Sequence, residues 1–172
     1  MKNLELKVKC NSHKAVLKVV KKLNAKYEGI LKQRDVYFNI SPGRLKLRSI
    51  NNSVHQLLYY KRSNRASAKF SNYYISEITH PKRVEHILKE IYGIKVIVSK
   101  RRKLYLWQNV RIHIDTVRKL GKFIEFEIVC RSKLQETGSA EKMRFLTNLI
   151  NIEKVSILST SYSDMLSGTS LV

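Results

Sequence analysis

The sequence is poor in the residues that staple or kink a chain: 172 positions hold two Cys, two Pro and six Gly. Cys10 and Cys130 have neither CxxC nor metal-finger spacing, which argues against a disulfide framework and a zinc site. Both lie in alternating segments, where a thiol serves as a small core residue in a reducing compartment. No apolar run approaches the ~18 residues of a membrane span. The chain enters a strand pattern by its third residue, without the apolar stretch of a leader, so a cytoplasmic location is expected. P-loop and GxGxxG motifs are missing, as is any Ser-His-Asp or Cys-His arrangement.

Acidic side chains are the scarcest functional class, with 13 Asp and Glu against 34 Lys and Arg, a formal charge of +21 and a pI near 10.1. That imbalance attracts polyanions and says nothing about fold. A Lys-, Asn- and Ile-rich composition is also what an AT-biased genome produces, so charge alone names no partner.

What is present is alternation. Asn3, Glu5, Lys7 and Lys9 oppose Leu4, Leu6 and Val8, a strand with one apolar side. Asn11 or Ser12 is a candidate cap for a helix with the stripe Val16, Val19, Val20, Leu23 and Tyr27, ended by Gly29. A strand through Tyr37 and Phe38 follows, then a Pro42-Gly43 turn, a strand over 44–50, a turn at Asn51-Asn52-Ser53 and a strand over 57–61. A basic loop is predicted from Arg62 to Lys69 and a strand over 70–78. Pro81 opens a helix carrying Val84, Ile87, Leu88 and Ile91, closed by Gly93. Three strands, about 95–106, 110–116 and 122–130, precede a helix from Ser139 with Met143, Leu146, Leu149 and Ile150. A short closing helix is expected within 159–166, with a loose tail from about 167. The fold class is one α+β domain over 1–172, with a mostly antiparallel sheet.

The helices need apolar strand faces, which leaves the ionisable faces either in solvent, over an open sheet, or inside a closed barrel. Arg111, His113 and Asp115 share a face, as do Glu125 and Glu127, and Lys100 and Arg102. In a barrel, cations crowded to 4 Å would repel by about 4 kcal/mol per pair at an effective dielectric of ~20. Bound anions and metal ions are the expected relief. A polyphosphate bridged to carboxylates by Mg²⁺ or Mn²⁺ fits both signs of charge.

The ordered segments Asn3-Leu4-Glu5-Leu6-Lys7, Gln33 to Phe38, Gly43 to Arg48, Tyr60-Lys61-Arg62, Lys100-Arg101-Arg102, Arg111 to Asp115, Leu120 to Glu127 and Ser161 to Leu166 carry a likeness across nearly the whole chain. It resembles the CYTH family, which contains class IV adenylate cyclases and thiamine triphosphatases among the triphosphate tunnel metalloenzymes. The resemblance implies an eight-stranded antiparallel tunnel with helices outside. By position it implies metal ligation by Glu5, Asp115, Glu125 and Glu127, phosphate binding by Lys7, Lys46, Arg48, Lys61, Lys100 and Arg102, and catalytic roles for Glu5, Lys61 and Glu127. The implied activity is metal-dependent hydrolysis of a triphosphate or nucleotide with Mg²⁺ or Mn²⁺, in a monomer or homodimer. A class IV-type adenylate cyclase and a binder without turnover, for a nucleotide, an RNA 5′-triphosphate or a signalling oligonucleotide, are the alternatives. Two departures stand out: Asn3 replaces the first Glu of ExExK, and Lys122 stands where a small or acidic residue is common. Both are expected to add positive charge to the tunnel. His113 is expected to play a hydrogen-bonding part, and the aromatics to be core or rim residues.

Overall fold

The computed structural model describes residues 2–61, 68–150 and 157–168. Most of the basic loop expected after Lys61, and the end of the tail expected to be loose, lie outside the described residues. Eight strands run β1 (Lys2–Cys10), β2 (Lys26–Phe38), β3 (Arg44–Ile50), β4 (Val54–Lys61), β5 (Lys69–Glu77), β6 (Ile94–Trp107), β7 (Val110–Val117) and β8 (Gly121–Cys130). They close into a barrel in the order β1-β5-β4-β3-β2-β6-β7-β8, every pairing antiparallel. The helices are α1 (Lys14–Lys22), α2 (Pro81–Tyr92), α3 (Lys133–Thr137), α4 (Ser139–Ile150) and α5 (Tyr162–Leu166).

The open-sheet alternative is therefore excluded, and the reason is register. With a period of two, each strand turns its ionisable set to one side and its apolar set to the other. The apolar sides face outward. Leu4, Leu6 and Val8 of β1, Ile112 and Ile114 of β7, and Phe126 and Ile128 of β8 form one buried cluster with Val16 and Val20 of α1 and Met143 and Leu146 of α4. At about 1.5–3 kcal/mol for each fully buried large apolar side chain, this outer layer is a major source of stability. Val36, Phe38 and Leu47 make a second layer with Val84 and Leu88 of α2. Ile87 and Ile91, expected in the same stripe, are exposed.

The turns follow local chemistry. Asn51 and Asn52 have φ of 52° and 56°, the pair of left-handed residues that a tight hairpin between β3 and β4 requires. Gly43 has φ 92°, and a Cβ there would meet the Tyr59 ring at 2.9 Å. Elsewhere the boundaries move. The cap of α1 is His13, whose side chain makes no capping bond. Tyr27 belongs to β2, not α1: β2 begins at Lys26, and Gly29 sits at a register shift inside it. That glycine marks a β-bulge, not a helix end. The short α3, capped by Ser132, was not legible in the periodicity. Ser167, where looseness was expected to begin, is still tied back to Ser163 and Asp164.

Candidate active site

The barrel interior encloses a cavity of about 360 Å³, lined by six cations (Lys7, Lys46, Arg48, Lys100, Arg102 and Arg111) and three carboxylates (Glu5, Glu125 and Glu127). Two more carboxylates, Asp35 and Asp115, are buried in the wall behind. Most of the thirty-four Lys and Arg therefore lie elsewhere. Buried carboxylates, not only bound anions or metal ions, relieve the cationic crowding.

Asp35 is the hub of the cationic wall. Its Oδ1 accepts from Arg48 Nε at 2.7 Å, and its Oδ2 from Arg48 Nη2 at 2.9 Å and Lys46 Nζ at 3.1 Å. Lys100 Nζ stands 3.9 Å from the same oxygen. Burial alone would raise the Asp35 pKa, but Arg48 and Lys46 outweigh it and hold the carboxyl well below its usual range. The lysines carry the cost. Burial, with Arg48 or Arg102 nearby, pushes Lys46 down to about 8 and Lys100 down to about 7.

The acidic wall belongs to β7, β8 and β1. Asp115 accepts both Arg102 Nε and Nη2, at 2.7 and 2.6 Å. Glu125 takes Lys7 at 2.6 Å, Arg102 Nη2 at 2.7 Å and His113 Nδ1 at 3.2 Å. Glu127 receives Asn3 Nδ2, and Arg111 Nη1 approaches its two oxygens at 3.3 and 3.4 Å. Glu5 and Glu127 are direct cross-strand partners, and both line the cavity. Burial pushes the His113 pKa down, with Arg102 acting in the same direction.

One end is closed by α5. Ser161 and Asp164 form a capping box, and Arg44 Nη2 donates to Asp164 at 2.7 Å, which fixes the helix across the barrel. Tyr162 enters the bore, packs edge-on against Phe123 and donates to Asp115 Oδ2 at 2.9 Å. Lys7 and Lys100 sit 4.2 and 5.2 Å from its ring centroid, within cation–π reach. The Ser161-Tyr162-Ser163-Asp164 run thus reads physically as cap, floor and anchor. At the opposite, open end Leu31, Ile50, Ile75 and Leu104 line the cavity, an aliphatic collar contributed by β2, β3, β5 and β6.

A family model described as CYTH domain matches residues 1–162. The chain belongs to the CYTH family. A curated protein of Methanocaldococcus jannaschii, named "Putative adenylate cyclase MJ0240", is 24% identical, covering 96% of this chain and 98% of that protein. Among solved structures, the PH1012 protein of Pyrococcus horikoshii superposes with a TM-score of 0.83 at 24% identity, over 94% of this chain and 98% of that one. A Hippeastrum protein, described as a "putative adenylyl cyclase" that reveals a dominant triphosphatase activity, matches at TM-score 0.67 and 13% identity, over 99% and 97% of the two chains. These structural likenesses establish the fold.

Within this CYTH barrel the sequence-predicted residues divide. Lys7, Lys46, Arg48, Lys100, Arg102, Glu5, Glu125 and Glu127 converge on the cavity. Asp115 lies behind it, 0% exposed, with both oxygens engaged by Arg102 and one also by Tyr162. Lys61 is exposed at the last position of β4, where alternation turns Leu58 and Tyr60 inward and Lys61 outward. The same parity removes Lys122 from the bore: it is exposed, its Nζ near Asn11 O at 3.5 Å, so it adds no charge to the tunnel. Of the two departures from the family pattern, only Asn3 lines the cavity. Sequence reasoning gives no site role to Asp35 or Arg111, and Tyr37, Tyr60 and Tyr162, expected as core or rim residues, line the cavity. The signal for Asp35 was available, since Gln33, Asp35 and Tyr37 share one strand face.

Lys46 and Lys100 set a pH dependence. Each has a folded pKa below its ordinary value, so charging them opposes folding, and ligand-free stability rises with pH from about 7 toward 10.5. An anion in the cavity favours their charged forms and reverses the sign for binding. Affinity for tripolyphosphate should fall at least about tenfold between pH 7 and pH 9, with proton uptake seen by calorimetry in two buffers. A flat profile would mean that these lysines do not face the ligand.

Proposed function

We propose that this CYTH protein is a divalent-metal-dependent phosphohydrolase acting on a triphosphate or nucleotide held inside the barrel. The observation that carries the reading is the blind cationic bore, in which Lys46, Arg48, Lys100 and Arg102 are pinned by buried Asp35 and Asp115. Preorganised cations stabilise charge developing on a transferring phosphoryl group without reorganising at the moment of reaction.

Among the described residues no group of three or more His, Cys, Asp and Glu forms a ready metal cage. Asp115 and Glu125 are committed to cations, which disfavours them as ligands. A second set of oxygens does suit a hard cation. Glu5 and Glu127 face each other across β1 and β8, and beside them Asn3 Oδ1 is buried with no hydrogen-bond partner. Mg²⁺ and Mn²⁺ favour such sparse oxygen sets completed by substrate phosphates. Glu5, Glu127 and Asn3 would hold the ion, which supplies Lewis-acid polarisation of phosphate oxygens when bound. Lys7, Arg102 and His113 orient Glu125; Arg48 and Lys46 orient the phosphate chain; α5 keeps bulk water from the deep end.

The collar favours an organic triphosphate over an inorganic one. A cavity of ~360 Å³ with a partly apolar lining falls in the range of small-molecule sites, about 300–1,000 Å³. Leu31, Ile50, Ile75 and Leu104 offer a base or ring an apolar seat at the mouth, and this is the observation that keeps a cyclase in view as a second reading. A cytoplasmic location is proposed because the two cysteines, Cys10 and Cys130, form no disulfide and suit a reducing compartment. No helix among the described residues is long and apolar enough to cross a membrane.

The test is incubation of ATP, thiamine triphosphate and tripolyphosphate with Mg²⁺ or Mn²⁺ and chromatography of products. Phosphate release, fastest from an organic triphosphate, is expected. Cyclic nucleotide as the main product would favour the cyclase, and stoichiometric binding without product would favour a sequestering role, for which Asn3 is the motivating departure.

A further inference from the structure

The outer surface of the barrel carries a second cationic feature that the interior chemistry does not use. On β2 and β6 the outward residues form rungs: Tyr27 opposite Tyr105, Ile30 opposite Lys103, Lys32 opposite Arg101 and Arg34 opposite Ser99. On this stretch Tyr27, Lys32 and Arg101 are exposed, while Tyr105 is half-buried beside the apolar layer under α1 and α4. Lys32 and Arg101 are like charges directly opposite, an arrangement that destabilises a sheet. Among the described residues neither side chain has a salt-bridge or hydrogen-bond partner, whereas Arg34 is neutralised by Glu85 at 2.7 Å and Glu28 by Lys26 at 2.8 Å. Arg118 joins them through the strand edge, its N–H bonded to Ser99 O at 2.9 Å. Together Lys32, Arg101, Arg118, Asn52 and Ser99 line a groove of about 380 Å³. Toward the open end of the barrel the same ribbon ends in the Tyr27–Tyr105 pair, ring centroids 5.0 Å apart at 43°.

A groove with unneutralised cations, followed along one ribbon by an exposed aromatic ring, is the chemistry of a single-stranded nucleic acid site. Cations track the phosphates, and a ring offers its face to any base. At roughly 3.3 Å per residue, Tyr27 to Lys32 spans about 15 Å, room for a few nucleotides. We propose that the outer face of the β2–β6 ribbon binds single-stranded nucleic acid, with phosphates on Lys32, Arg101 and Arg118 and a base against the Tyr27–Tyr105 pair. The site is separate from the cavity and needs no triphosphate. It explains why a strained like-charge pair is kept on an exposed rung. It also converts a diffuse net charge into a local prediction.

The experiment uses a fluorescein-labelled, 5′-hydroxyl oligouridylate and fluorescence anisotropy across a salt series, with the full chain. The triple variant Lys32→Thr, Arg101→Thr, Arg118→Ser should bind at least about tenfold more weakly at 0.1 M salt, and the log–log salt slope should fall by about 2, at ~0.7 per phosphate contact. A charge-matched control, Lys14→Ser, Lys18→Ser, Lys21→Ser on α1, should bind like the parent chain. Tyr27→Ala should weaken binding by about fivefold or more and leave the slope unchanged. Arg101→Thr alone should raise the melting temperature at low salt, which confirms that loss of binding is not loss of fold. Equal losses in the ribbon and α1 variants, no loss in the ribbon variant, or tighter retention on phosphatidylserine vesicles than on the oligonucleotide would overturn the assignment.

Discussion

Asp35→Asn should lower stability by about 3–5 kcal/mol, the cost of removing one partner from a buried charge cluster. The substitution is nearly isosteric, so packing changes little. It leaves Arg48, Lys46 and Lys100 facing one another around an uncharged amide. The lysines can shed protons, but Arg48 cannot, because its guanidinium is charged at every working pH. At about 2–4 °C per kcal/mol for a chain of this size, the melting temperature should drop by about 6–20 °C. The double variant Asp35→Asn, Arg48→Gln should recover part of the loss, because it removes the one cation that cannot neutralise itself. If the single variant melts within a degree of the parent chain, Asp35 is not the hub that its contacts describe. The acid limb follows the same logic. Asp35 has a depressed folded pKa, so its contribution is present above the ordinary carboxylate range and is lost only as pH falls through the folded value.

Glu127→Gln should behave in the opposite manner, with little effect on folding and a loss of about 10²- to 10³-fold in metal-dependent turnover. Gln preserves an acceptor for Asn3 Nδ2 and keeps the volume, and Glu127 makes only long contacts to Arg111 and His113. What it removes is one of the two carboxylates that face each other at the open end of the bore. The matching change Glu125→Gln should instead cost stability, because Lys7, Arg102 and His113 all depend on that side chain. Thermal melts and phosphate release, measured on both variants, separate the two roles. Unchanged turnover in Glu127→Gln would remove it from the metal site.

The contrast shows where the sequence is informative. Alternation in Leu4-Glu5-Leu6-Lys7 and Phe123-Ile124-Glu125-Phe126-Glu127 states which side of each strand is charged, and the apolar helix stripes of α1 and α4 state which side is covered. Together with the resemblance they were enough for the barrel and for most cavity residues. Closure itself is not local. The seam between β1 and β5 joins segments some seventy residues apart through four residue pairs, and no window of sequence contains it. Lys61 shows the sharper failure. Motif likeness placed it near the phosphate, but strand parity turns it outward, and a slip of one residue is enough to do so. Asp35 was overlooked for a related reason: a lone acid between Arg34 and Val36 looks like a surface residue until three cations from β3 and β6 close around it. Tyr27 misled because its spacing also completes a helical stripe, while the bulge at Gly29 is set by pairing with β6.

The most direct measurement is a crystal structure of the chain with a non-hydrolysable organic triphosphate and Mn²⁺. The phosphates are expected within hydrogen-bonding distance of Lys46, Arg48, Lys100 and Arg102, the metal at Glu5 and Glu127, and the organic group against Leu31, Ile50 and Leu104. An interior without ligand, with the triphosphate instead bound on the outer face of the barrel, would contradict a substrate site inside it.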